Sequence, residues 1–107
     1  MVCKSPRHAA GKYGVIRLTK SHAAVIAPSF RVNSFGPEFM EIESTLSWGD
    51  RMNRQCERVH TQTTMKLVSI PGEPVVDAFW LAADDASNLA GSFMMCDSGF
   101  QLDRRLV

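Results

Sequence analysis

Two side chains near the start of this 107-residue chain have the types and spacing for chemistry on a shared ligand. His8 and Lys12 are four residues apart, so on a helix their heads lie over one face and can meet the same group. An imidazole titrates near neutral pH and can hold or pass a proton. An ammonium one turn away pushes the imidazole toward its neutral form. Tyr13, five positions from His8 and next to Lys12, points off that face. Metal chemistry finds no support: His22 and His60 have no second ligand at metal-binding spacing. Cys3, Cys56 and Cys96 are odd in number and widely spaced, without a Cys-x-x-Cys pair, and read as thiols in a reducing compartment.

The element that must position this pair is a long helix over 8–27, preceded by a loop over 1–7. Val15, Leu18, Thr19, His22, Ala23 and Ile26 recur at helical spacing and predict one buried stripe. His22 within it reads as a core or interface histidine, while Ile16, Ala24 and Val25 lie on or beside the outward face. Pro28 ends the helix. Phe30–Phe35 then reads as a strand broken by Gly36-Pro37 at its carboxyl end, where ligands sit in open α/β sheets.

A polar segment over 38–66 follows. Ser47 or Asp50 is placed to cap a second helix with Trp48, Met52, Cys56 and Val59 on one side and Arg51, Arg54, Glu57 and Arg58 on the other. This reads as a lid or docking segment, with Met40, Trp48 and Met52 as pocket or core residues and Glu41 and Glu43 in a solvated loop. Ile70-Pro-Gly-Glu-Pro74 is a turn, with Pro74 at the first position of a third helix whose buried face is Val76, Phe79, Trp80 and Ala83. Asp84-Asp85 reads as a helix-end turn, Ser92–Cys96 as a short buried strand, and Asp97-Ser98-Gly99 as its closing turn. The fold class expected is α/β, with the two strands parallel and joined by a right-handed crossover. Two parallel strands want neighbours and cover on both faces, so the pattern reads as part of a larger sheet.

Charge is unevenly placed. Through Pro37 there are six basic residues and no acidic one, while the remainder has six basic and all eleven acidic residues. A basic, acid-free start fits a transit peptide or a phosphate-binding surface, and it reads first as a solvated helix face, since Arg17 and Lys20 lie opposite the apolar stripe. No Arg-rich run or aromatic interleaving points to nucleic acid, and no apolar run approaches the roughly 20 residues of a membrane span. The polar N-terminus lacks the apolar core of a secretory signal, so the expectation is a cytoplasmic protein.

His8 to Pro37, Pro71-Gly-Glu-Pro74 and Phe79-Trp-Leu-Ala-Ala-Asp-Asp-Ala-Ser-Asn-Leu-Ala-Gly-Ser-Phe-Met-Met-Cys-Asp-Ser-Gly-Phe100 together resemble the C-terminal half of the short-chain dehydrogenase/reductase family. Members carry Tyr-x-x-x-Lys at the head of a long helix, a Leu-Thr-Lys-Ser…Ala-Pro…Arg-Val-Asn passage, a Pro-Gly turn and a closing Leu-Ala-Ser-Asp…Asp-Gly-Gly. The resemblance covers essentially the whole chain. It implies the C-terminal portion of a Rossmann-type doubly wound parallel sheet: a single partial domain over 1–107, two parallel strands with long helices, and 38–66 as substrate lid. It also implies an NAD(P)-dependent oxidoreductase acting on a small carbonyl or alcohol, with NAD or NADP as cofactor. Lys12 would bind the nicotinamide ribose, and Pro37, Glu38 and Met40 would lie along the cofactor.

The departures are specific. His8 stands at the catalytic Tyr position, Glu38 replaces the Gly of Pro-Gly, Ala90 replaces a Thr, and Ser98 replaces a Gly. The Gly-rich phosphate loop and the catalytic Ser belong to the family's other half, and without that loop the pyrophosphate lacks its cradle. The chain alone is therefore expected to be inactive. The partners implied are a small-molecule substrate and either a homo-oligomer or a full-length relative, met through the helix 8–27.

Overall fold

The computed structural model of the chain describes residues 6–37, 40 and 47–102. The chain divides into two compact units, residues 1–36 with 77–95 and residues 37–76 with 96–107. Cys3, Glu38, Glu41 and Glu43 lie outside the described residues.

In the first unit, helix α1 spans Pro6–Ile26. It starts two residues before the expected position, because Pro at the first helical position has its φ preset and has no N–H to leave unpaired. It ends where Ala27 donates to the Ala23 carbonyl and Phe30 to that of Ile26, around Pro28, which has no N–H to give. Strand β1 follows at Ser34–Pro37 and pairs with β2, Phe93–Cys96, in a two-stranded parallel sheet.

The expected strand over 30–35 is thus displaced, and Gly36-Pro37 forms its last two residues instead of breaking it. The residues before it are committed elsewhere. Val32 accepts the Gly91 N–H at 2.7 Å, and ladder pairing begins where Ser34 donates to the Ser92 carbonyl at 3.0 Å. Pro37 is tolerated at the strand end, where its missing N–H interrupts no ladder. A Cβ at Gly36 would lie 2.7 Å from the far end of the Phe93 ring, so a larger residue there would have to displace that side chain.

Helix α3, Gly72–Ala82, enters the first unit at Asp77 and ends against Arg31. The Arg31 guanidinium donates to the carbonyls of Leu81 at 2.8 Å, Ala82 at 3.2 Å and Ala83 at 3.0 Å, satisfying groups that a helix end leaves open. Arg31→Met keeps the stem and loses the donors. It should cost about 1–2 kcal/mol, discounted for the exposed members of the set, and lower the thermal midpoint by roughly 5–10 °C in circular dichroism. Arg31→Lys should recover only part, since one ammonium cannot span three carbonyls.

Three expectations about burial fail. On α1 only Thr19 and Ala23 of the stripe are buried; Val15 and Leu18 are each 53% exposed, and His22 and Ile26 are exposed as well. On α3 the supposed buried face, Val76, Phe79, Trp80 and Ala83, is exposed, Phe79 to 74%, and the buried positions are Pro74 and Leu81. Strand β2 likewise alternates exposed and half-buried residues where a buried strand was expected. The apolar periodicity is real, but each element seats only a narrow line of it.

In the second unit, helix α2 spans Asp50–Gln62 and buries Met52 and Val59, with Cys56 half-buried on the same side, as the spacing predicts. Its N-cap is Gly49 at φ 52°, with no side-chain cap, so neither Ser47 nor Asp50 caps it. Asp50 is the first helical residue, where its carboxylate faces the positive end of the helix. The Arg51 guanidinium lies 5.2 Å from the Trp48 ring centroid.

The helix ends at Thr63, fully buried, whose hydroxyl accepts the Leu67 N–H at 3.2 Å. Thr64 donates to the Gly99 carbonyl, Met65 to that of Ser98, and Asp97 accepts the N–H groups of Gly99 and Gln101. Gly99 sits at φ 75°, and a Cβ there would lie 2.8 Å from Thr64 Cβ. An isolated parallel bridge joins Met40 to Ser69. Helix α3 begins in this unit at Gly72, which leaves Pro74 third instead of first. Glu73 caps the start: its carboxylate accepts the Ile70 N–H at 2.9 Å while its own N–H reaches the Ile70 carbonyl at 3.0 Å.

Candidate functional site

The site candidates of the first unit stand on the N-terminal turns of α1. His8 and Lys12 are both exposed, one turn apart on one face, as their spacing requires. Their backbone surroundings are open, because a Cβ built at Gly11 or Gly14 would meet nothing within 4 Å. Tyr13 is exposed and lies off that face. Arg7, Lys12, Arg17 and Lys20 give α1 four cations and no carboxylate, so its field attracts anions along its whole length. Such a surface can bind a hydroxylated or anionic ligand end through Lys12, with an imidazole within reach of the same group.

One turn beyond the midpoint of α1, Lys20, Ala23 and Ala24 meet Ala90 and Gly91 in an open concavity of about 380 Å³. Gly91 takes φ 71°, and a Cβ there would come within 3.4 Å of Ala23 Cβ. Sequence reasoning did not find this hollow. Its signal is the paired small residues Ala23-Ala24 and Ala90-Gly91, which only the fold brings together.

Most of the remaining candidates belong to the second unit, while Asp84, Asp85 and His22 belong to the first. Pro37 is exposed at the end of β1, Met40 is half-buried and bridges to Ser69, and Glu38 lies outside the described residues. Met52 is core. Trp48 is partly exposed beside Arg51. His60 is exposed at the end of α2, and Asp97 is buried in the turn it caps. Asp84 and Asp85 form a short 3₁₀ turn. His22, expected in a core or interface, is exposed because its side of α1 has no cover within the unit. Among the described residues no group of three His, Cys, Asp or Glu could hold a metal, and no helix is long and apolar enough to cross a membrane.

No family model matches the chain. Two curated relatives do. The chain is 32% identical over 92 residues to an A-factor type gamma-butyrolactone 1′-reductase of Streptomyces virginiae, a match covering 85% of this chain and 36% of the relative. It is 30% identical over 100 residues to the short-chain dehydrogenase/reductase SDRA of Arabidopsis thaliana, covering 89% and 39%. The chain therefore spans less than two fifths of the length of each of these relatives. Among solved structures, the aldohexose dehydrogenase of Thermoplasma acidophilum superposes with a TM-score of 0.87 at 22% identity, over 96% of this chain and 44% of that one. A short-chain dehydrogenase from Bacillus anthracis gives 0.71 at 26% identity, over 90% and 35%.

Proposed function

Because the chain belongs to the short-chain dehydrogenase/reductase family, we propose that it supplies the C-terminal part of an NAD(P)-dependent oxidoreductase site for a small carbonyl or alcohol. The observation that carries this reading is the Lys12 ammonium, exposed in open space one turn from His8 on a helix without carboxylates. That arrangement fits the nicotinamide ribose end of a dinucleotide, whose hydroxyls accept from an ammonium. Lys12 would hold the ribose, and Pro37, Glu38 and Met40 would lie along the ring. When bound, the cofactor supplies or accepts the hydride. Its pyrophosphate finds no Gly-rich cradle among the described residues.

His8 stands where the family carries Tyr. Its imidazole can hold a proton on Nε2 for the substrate oxygen. However, an imidazole is shorter than a phenol, so the chain alone is read as inactive. In this reading residues 38–66 serve as the substrate lid of a single partial domain, in a cytoplasmic, oligomeric protein.

The test uses reduced nicotinamide mononucleotide, which carries the ribose end without the pyrophosphate. Titration should show saturable, roughly millimolar binding that Lys12→Ala weakens about tenfold, as for loss of one charge-assisted contact. Binding indifferent to Lys12→Ala would remove Lys12 from the site. His8→Tyr alone should create no turnover with NADH, and measurable turnover would contradict the reading of His8.

Val25, 78% exposed on α1, supports a second reading: a non-catalytic remnant that docks on a full-length relative through the helix 8–27. Absence of any mononucleotide binding, together with co-elution with such a relative, would favour it.

A further inference from the structure

Helix α2, within the second unit, carries three arginines along one side. Arg51, Arg54 and Arg58 are spaced by three and four residues, so they fall within an arc of about 60°, and all three are exposed. That side is turned away from Met52 and Val59, the residues α2 buries. Asp50 and Glu57 lie outside the arc, beyond Arg54, and leave a cationic line along about two turns. Like charges three and four residues apart repel and weaken a helix. An anion held across them would relieve that repulsion.

The line begins beside an aromatic surface. Trp48 is 44% exposed, and the Arg51 guanidinium lies 5.2 Å from its ring centroid, held by the negative face of the indole. Arg54 and Arg58 are one turn apart, so both heads can meet a single group. Each guanidinium presents a planar fork of donors that matches two oxygens of a phosphate or carboxylate. Arg51, with the indole beside it, stands about 5 Å from Arg54 along the axis, a separation that one flat ring spans.

We propose that Trp48, Arg51, Arg54 and Arg58 form a binding site for an oxyanion, phosphate or carboxylate, borne on a flat ring. Arg54 and Arg58 take the oxyanion, while Arg51 and Trp48 take the ring. This deepens the proposed function by making the site the seat of an anionic substrate end. That identification rests on residues 38–66 serving as the substrate lid, whereas the site itself stands on α2 alone.

The experiment uses the full chain carrying Trp80→Phe, so that Trp48 is its one tryptophan and reports binding by fluorescence. Phenyl phosphate and benzoate are the probes, with benzyl alcohol as the neutral counterpart. At least one anion should give a saturable, roughly millimolar response, and the tighter of the two identifies the oxyanion. Benzyl alcohol should give none, and added salt should weaken the response. Arg54→Gln and Arg58→Gln should each weaken binding about tenfold, as for one charge-assisted contact, with circular dichroism unchanged. Arg54→Lys should recover only part, since an ammonium lacks the fork. Probe binding without binding of reduced nicotinamide mononucleotide would uphold this site and count against the proposed reaction. Mononucleotide binding without a saturable Trp48 response would overturn this site and leave the reading of Lys12 intact. An equal response to benzyl alcohol, or a loss of less than about twofold in both glutamine variants, would also overturn it.

Discussion

Asn33→Ala is expected to lower the stability of the first unit by about 2–4 kcal/mol, a large effect for one exchange of a polar side chain. Asn33 Nδ2 donates to the Leu89 carbonyl at 2.9 Å and Oδ1 accepts the Ser92 N–H at 3.0 Å, both part-buried. One residue before β1 thus ties the chain on both sides of Gly91 and sets where the ladder to β2 begins. Truncation leaves a backbone donor and a backbone acceptor unpaired at once, and an unmade bond of that kind costs more than the bond itself is worth. Thermal unfolding followed by circular dichroism should show the loss, and amide exchange should place it at Ser92.

Asn33→Asp separates the two bonds. The carboxylate keeps the acceptor for Ser92 but sets a negative oxygen against the Leu89 carbonyl, where Asn has a donor. That contact raises the variant's folded-state carboxyl above its ordinary value of about 3.9. Folding then favours the protonated form, so the variant is most stable below the unfolded carboxyl's titration range and loses that stability as pH rises through the folded one. A melting temperature rising from pH 7 to pH 3, relative to the parent chain, is the expected signature. A flat difference would mean that the Leu89 contact carries no weight.

These bonds explain why parts of the fold were legible in the sequence and parts were not. Helix α1, helix α2 and the placement of His8 and Lys12 on one face follow from spacings of three and four residues, which a helix reads directly. The buried side of α2 was legible for the same reason, since Met52 and Val59 have a partner surface in their own unit. Periodicity marks which side of a helix is apolar but not whether anything covers it, and that is where the faces of α1 and α3 departed from expectation. The start of β1 was missed because Arg31 and Asn33 spend their hydrogen bonds on residues 50 to 59 positions away. No local pattern carries such a link. The Glu73 cap on Ile70 is the opposite case: it spans three residues and could have been read from the sequence. Of the candidate site, Lys12 and His8 were legible because they share a helix, whereas the hollow at Ala23 and Gly91 joins residues 68 positions apart in the chain.

Val59→Asp should unfold the second unit at room temperature. Val59 is 1% exposed, the least exposed aliphatic side chain of α2, and Thr63, whose N–H donates to its carbonyl at 2.8 Å, is fully buried. A carboxylate there is taken from water, at a cost of several kcal/mol. Whole domains hold only about 5–15 kcal/mol in total, so a compact unit of this size cannot absorb the change. Val59→Ala removes two methyl groups and should cost about 2 kcal/mol, leaving the unit folded but weakened.

The chain's two tryptophans report on different units, Trp48 on the second and Trp80 on the first. In a Trp80→Phe background, Val59→Asp should show the red-shifted emission of a solvated indole without denaturant, and Val59→Ala a lowered urea midpoint. Arg58→Asp is the control, because it adds a new carboxylate one residue away on the exposed side and should change stability by no more than about 0.5 kcal/mol. Equal losses at 58 and 59 would mean that α2 is not held through Val59.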